Sequence, residues 1–485
     1  MNPTEKIIFF RELEHYTRDE IIFQLGLSQS DTSIDVIRDL SCRQILKLKK
    51  NSDDSDDIEE YSEGKNSYVF DYVGVIEYYQ RIIFCYPKYI KNTPQVEDAK
   101  LIIAALEKYN SQQFILRIST ENDTVWEYNR IGAELALLRD YFENGIYCNS
   151  KNVLELHGNA EIDWDTTVNE TLPIIQNGEP YYVDYYTLQT VADEDDFITK
   201  LHKCLLTECS KHFLITGLDT LLSVDTPILS ENDLENIADK EYIKKRILQE
   251  IQNQFITKKQ LTLRLMYALV CLSEQSLDNS DFSLFGTNNF NLVWENACAD
   301  VLGSMHKTEL KNLPLYIAEQ WKKYSDNTLL DIINKPKWSI VGIDNPIFSK
   351  KTLKPDYLSI IRHNGQTFFV ILDAKYYDML ITDRYINGAP GVGDIDKQQL
   401  YHLAYQKFLD NHGIDSVINA FVFPSENNSV QVIGTVEMEF LSLLKLEPVK
   451  LISFSAKRML TLYSNGNRLQ LNDLLPELFI SKNDS

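Results

Sequence analysis

Cysteine is scarce in this 485-residue chain, and the seven present (Cys42, Cys85, Cys148, Cys204, Cys209, Cys271, Cys298) are odd in number and never spaced as CxxC. That excludes a disulfide framework or zinc ribbon as the organising device and predicts buried free thiols. Long apolar runs are lacking too. The richest, residues 261–272, carries Arg264 near its middle and falls short of the roughly 18 to 20 apolar residues that span a bilayer. The first fourteen residues read charged-apolar-charged without the apolar core of a secretory signal, so no membrane association and a cytoplasmic location are expected. No GxxxxGK[ST] loop occurs, so no nucleotide is assigned to this chain, and the eight histidines form no HxxxH or HExxH pair that would suggest a zinc hydrolase. Positive charge is also short: 48 Lys and Arg against 71 Asp and Glu leave a net −23, the wrong sign for strong unaided binding of nucleic acid.

What is present is a soluble composition, 44% hydrophobic and 25% charged, long enough for two to four domains. The fold class read from the pattern is α+β multi-domain. Residues 1–120 read as a β-rich domain: 67–76 (SYVFDYVGVI) and 81–89 (RIIFCYPKY) are β-branched and aromatic runs, the second closed by Pro87. Residues 51–60 (NSDDSDDIEE) read as a solvated acidic loop. The pattern turns helical from about 96 to 144, is turn-rich from 154 to 166, and is helical again from 193 to 276, so 121–285 reads as a mainly helical connector. Residues 286–485 read as a C-terminal α/β domain. They hold 20 Lys and Arg against 22 Asp and Glu, a net of −2, which leaves −21 on the first 285 residues.

The chemistry concentrates between 335 and 424. Residues 338–343 (WSIVGI) read as a short strand, 357–362 (YLSIIR) as a second and 367–375 (TFFVILDAK) as a third. Asn364-Gly365 between the last two marks a type I′ hairpin. With those two as loop residues, paired positions sum to 729, so Asp356 falls opposite Asp373. Directly opposed like charges are destabilising, and a shared proton or a bound cation would offset the repulsion. Period-two alternation adds Lys375 to the face of Asp373. Two carboxylates and a lysine at a strand end suit metal-assisted phosphodiester hydrolysis, with Mg²⁺ (Mn²⁺ substituting) on the carboxylates and the lysine on the attacking water. Upstream, Trp294, Ala297, Cys298, Val301 and Leu302 make the apolar stripe of a helix with Glu295 beside it. Downstream, 394–409 reads as a helix carrying Gln398 and Gln399, preceded by a glycine-rich loop, 388–393 (GAPGVG), and followed by a buried strand at 417–424.

This order, with Pro355-Asp356, sixteen intervening residues and Asp373-Ala374-Lys375, resembles the PD-(D/E)xK nuclease superfamily. Further segments, among them 69–89, 160–167, Val293-Trp294-Glu295, 372–376 (LDAKY) and 396–405 (DKQQLYHLAY), resemble the LlaJI-type restriction endonuclease subunits, which in turn resemble McrC nuclease subunits. The resemblance implies a restriction nuclease that cuts double-stranded DNA beside a McrB-like AAA+ NTPase, with the N-terminal domain contacting the motor. It implies Asp356, Asp373 and Glu295 as metal contacts, Lys375 as catalytic lysine, and Gln398 or Gln399 as the site glutamine. A repair or mobile-element nuclease of the same superfamily and a non-catalytic adaptor that stimulates a motor are the rival readings.

Overall fold

The computed structural model describes residues 7–27, 31–49, 67–78, 81–118, 130–275, 282–342, 344–382, 385–414, 416–444, 446–471 and 474; the acidic run at 51–60 lies outside them. The chain is a mixed α and β, multi-sheet protein. No helix among the described residues is long and apolar enough to cross a membrane. The described cysteines carry free thiols, four of them buried. Two compact units form, both discontinuous in sequence: one gathers Glu77–Ile82 and Arg117–Phe285, the other Ile7–Ile76, Ile83–Leu116 and Gly286–Ser485.

In the first unit, helices Arg130–Asn144, Phe197–Thr216, Lys240–Asn253 and Thr257–Gln275 supply the core. The second of these starts where the Asp196 side chain accepts from the backbone N–H of Ile198 and Thr199, and stops at Gly217 with φ 79°, a left-handed conformation that glycine adopts cheaply. His212 on that helix bridges two carboxylates, Nδ1 at 2.6 Å from Glu134 and Nε2 at 2.9 Å from Glu77. The segment read as turn-rich, 154–166, has a turn at His157 and bends at Asn159 and Ala160, but it begins inside a strand. Asn149–Leu156 is a full strand, antiparallel to Tyr186–Asp193 with Leu156 opposite Tyr186. Its side chains remain largely exposed, so the apolar alternation that announces a half-buried strand never arises.

In the second unit the predicted N-terminal runs are strands Ser67–Phe70, Val73–Tyr78 and Arg81–Tyr86, the last lying beside Ile7–Arg11. The site-bearing layer comprises α1 (Phe290–Leu302), β1 (Tyr357–His363), β2 (Gln366–Ala374), α2 (Val392–His412), β3 (Ser416–Ser425), β4 (Gln431–Val436), β5 (Val449–Ser455) and α3 (Ala456–Ser464). The sheet order is β1-β2-β3-β5-β4. β2, β3 and β5 run parallel and the two edges antiparallel. A parallel β2–β3 pair needs a crossover, which α2 provides. Leu358, Ile360, Phe369 and Ile371 pack against Tyr401, Tyr405 and Phe408 of α2. The other face of β1 carries Tyr357, whose hydroxyl donates to the Leu302 carbonyl at the end of α1. Of the strand predicted over 338–343, residues 339–342 form no part, and Ile343 lies outside the described residues. Only Lys337–Trp338 pairs, with Ile347–Phe348, and both are exposed; an apolar run with no surface to pack on does not extend a ladder.

Candidate active site

The hairpin has the register that its turn demands: Tyr357 pairs with Leu372, Ile360 with Phe369, His363 with Gln366. Asn364 and Gly365 both take positive φ, 50° and 80°. One step past the ladder, Asp356 meets the end of β2, where its Oδ2 accepts the Ala374 N–H at 3.1 Å. α2 fixes the approach to that point, because the Tyr401 hydroxyl donates to the Lys354 carbonyl at 2.8 Å. β2 continues past Ala374 by one more parallel bond, Lys375 N–H to the Val422 carbonyl at 2.9 Å. That bond directs Lys375 to the side of Asp373.

The charges at this strand end converge. Lys375 Nζ lies 2.7 Å from Asp373 Oδ2 and 2.8 Å from Asp394 Oδ1. The Tyr377 hydroxyl donates to the second Asp394 oxygen at 3.3 Å. Burial, then the Asp373 and Glu295 carboxylates, push the Asp356 carboxyl up to about 7, against the opposing pull of the Ala374 N–H and the Lys375 charge. Glu295 is also raised, first by burial; a hydrogen bond from Asn291 works against that, and the Asp373 charge adds to it. Burial works to lower Lys375, but the bonds and charges of Asp373 and Asp394 hold it above its ordinary value. Asp356, Asp373, Lys375 and Glu295 therefore share one electrostatic environment.

The two glutamines part company. The Gln398 amide donates to the Ile371 and Ala420 carbonyls and to Asn419 Oδ1, at 3.4, 3.2 and 2.7 Å, bracing β2 to β3 beneath the site. Its own Oε1 is buried without a partner. Gln399 turns away and donates to the Glu447 carbonyl at 3.3 Å. Neither amide bonds to the carboxylates. Two groups at the site escape a reading of sequence: Asp394 and Tyr377. Tyr377 had a signal, since alternation places 373, 375 and 377 on one side. Asp394 had none, because the first turn of α2 reaches Lys375 only once α2 has crossed the sheet. The glycine-rich loop ends in Gly391, which caps α2.

Among the described residues, no group of three or more His, Cys, Asp or Glu side chains is placed to hold a metal ion. Magnesium does not require one, since one or two carboxylates and several waters commonly hold it. The hard carboxylate oxygens of Asp356 and Asp373, side by side at one strand end, are the donor type that fits such an ion.

Comparison with known proteins places the chain in a family. The chain is 28% identical over 427 residues to the "Type II restriction enzyme BsuMI component YdjA" of Bacillus subtilis (strain 168), covering 85% of this chain and 84% of that one. A chain in a half-complex from a tetradecameric assembly of Thermococcus gammatolerans McrB AAA+ hexamers with bound McrC aligns with TM-score 0.36 at 13% identity, covering 96% of this chain and 100% of that one. A chain of the Thermococcus gammatolerans McrBC complex aligns with TM-score 0.26 at 12% identity, covering 60% and 84%. The LlaJI restriction endonuclease description matches residues 72–457, well over half of the sequence, and the chain belongs to that family.

Proposed function

We propose that this chain is the DNA-cutting component of a multi-component restriction system, a magnesium-dependent endonuclease of PD-(D/E)xK type that works beside a nucleotide-hydrolysing AAA+ partner. The observation that carries the reading is the convergence of Asp356, Asp373, Glu295 and Lys375 at the end of β2, with Lys375 Nζ 2.7 Å from Asp373. A mixed sheet crossed by α2 and flanked by α1, with the carboxylates at the end of the β1–β2 hairpin on one edge, supports the superfamily assignment. That the Bacillus subtilis relative is described as a component of a restriction enzyme supports a chain that acts with others.

Asp356 and Asp373 would hold the ion and Glu295 would contact it or its water. A bound magnesium ion supplies charge neutralisation at the scissile phosphodiester. The remaining work falls to the chain. Asp394 pairs with the Lys375 ammonium independently of Asp373 and would keep it charged and aimed, and Tyr377 holds Asp394 in turn. Lys375 orients the attacking water or donates to the phosphate oxygen. Gln398 stiffens the β2–β3 ladder that carries Asp373. Purified protein with its partner NTPase should linearise plasmid DNA only with magnesium or manganese, and Asp373→Ala and Lys375→Ala should each abolish cutting while the variants still co-elute with the partner. Undiminished cutting by either variant would remove the assignment.

A further inference from the structure

Past Lys375 the chain leaves the sheet but keeps the alternation of an extended strand. Asp373, Lys375 and Tyr377 turn to the site, and the residues between them turn the other way. Those intervening residues are all held. Ala374 bonds to Asp356. The Tyr376 hydroxyl donates to the buried Glu12 carboxylate and accepts the Lys88 N–H at 3.1 Å. Glu12 Oε2 also accepts that Lys88 N–H, at 3.1 Å. The Tyr376 ring lies 5.3 Å from Phe290 at the start of α1, and Lys88 Nζ stands 4.8 Å over its face. Asp378 pairs with Arg11 at 2.9 Å and with Lys91.

Glu12 is only 5% exposed, and burial raises its carboxyl despite the Tyr376 and Lys88 bonds. Keeping a carboxyl there costs free energy that a plain apolar core would avoid. The hydrogen bonds its carboxylate accepts come from Tyr376, in the segment behind Lys375, and from the Lys88 N–H, just after Pro87.

We propose that Arg11, Glu12, Lys88 and Lys91 form a clamp that belongs to the cleavage apparatus: by gripping Tyr376 and Asp378 from behind, it sets how far Lys375 and Tyr377 reach toward Asp394. Glu12 and Tyr376 are positioning residues, more than 350 positions apart in the chain, and touch no reacting atom. The inference rests on the nuclease reading above. An extended chain pinned at alternate residues has little freedom left at the residues between, so loosening one pin lets the lysine head drift from its aim. Displacements of about 1 Å by remote changes can cost about 100-fold in rate.

The test compares Tyr376→Phe, Glu12→Ala and Glu12→Gln in the full-length protein with its partner, magnesium and plasmid DNA, with thermal unfolding followed in parallel. Tyr376→Phe and Glu12→Ala should lower kcat by about 10- to 100-fold with KM for DNA unchanged. The double variant should be no slower than the slower single one, and Glu12→Gln, whose amide oxygen still accepts both bonds, should recover most of the rate. A Tyr376→Phe enzyme at the wild-type rate overturns the proposal. So does a loss that Glu12→Gln fails to relieve, or one that enters through KM and falls in step with the unfolding temperature. Asp373→Ala serves as reference: if it cuts, the nuclease reading itself fails, whereas an inactive Asp373→Ala beside a fully active Tyr376→Phe removes the clamp alone.

Discussion

At Asp356, burial and two neighbouring carboxylates make ionisation costly, and the cost shows in stability. The folded carboxyl titrates near 7, against about 3.9 when unfolded. Between those values the folded state binds more protons than the unfolded one, so stability falls as pH rises from about 4 to about 7, then levels. The amount is on the order of a few kcal/mol. Asp356→Asn should therefore unfold at a higher temperature than wild type at pH 8 and lack that slope. Magnesium should raise the wild-type midpoint at pH 8, do little at pH 5, and leave the variant unmoved. Scanning calorimetry at the two pH values measures this, and a wild-type midpoint indifferent to magnesium at pH 8 would contradict it. The opposition of Asp356 and Asp373 was legible in the sequence because a two-residue turn sets a register by counting. The pairing of Lys375 with Asp394, and of Tyr376 with Glu12, was not, since each partner arrives through tertiary packing that no local spacing encodes.

Among elements, the β1–β2 hairpin shows how local chemistry carries the site. Gly365 sits at φ 80°, and a Cβ added there meets nothing within 4 Å. Gly365→Val should thus cost only backbone strain, about 1–2 kcal/mol, with the core untouched; urea unfolding would show a lower midpoint at an unchanged slope. The same element explains what could be read ahead of the structure. Leu358, Ile360, Phe369 and Ile371 are β-branched or bulky residues at strict alternation, and α2 covers them. Residues 338–343 misled, and 149–156 gave no signal. The first is apolar yet exposed around Trp338, so composition suggested a strand that lacks a packing surface. The second is polar and exposed yet pairs along eight residues with Tyr186–Asp193, held by backbone bonds that a hydrophobic pattern does not announce.

Across the whole molecule, charge and chain path separate. The last 200 residues carry a net of −2 and the first 285 carry −21. A near-neutral site-bearing layer has little phosphate attraction of its own. The compact unit that holds the site also takes in Ile7–Ile76 and Ile83–Leu116. Lys108 donates to the Tyr463 carbonyl on α3, and Lys457 pairs with Asp98 at 2.8 Å. A fragment of residues 286–485 alone should lack a cooperative thermal transition, while the full chain shows one. A fragment that unfolds as sharply as the intact protein would refute that linkage.

The split path also orders events at the ribosome. Residues near Glu12 and Lys88 emerge first and wait while the helices of the other unit are made, on the order of ten seconds or more of synthesis, before Tyr376 exists to be gripped. Chains that stop before Lys375 lack the lysine, and chains without Glu12 lack the group that grips the tyrosine beside it. On the nuclease reading and the clamp proposed above, a copy that holds only one of the two segments has no aimed lysine, which ties cutting to chains that contain both.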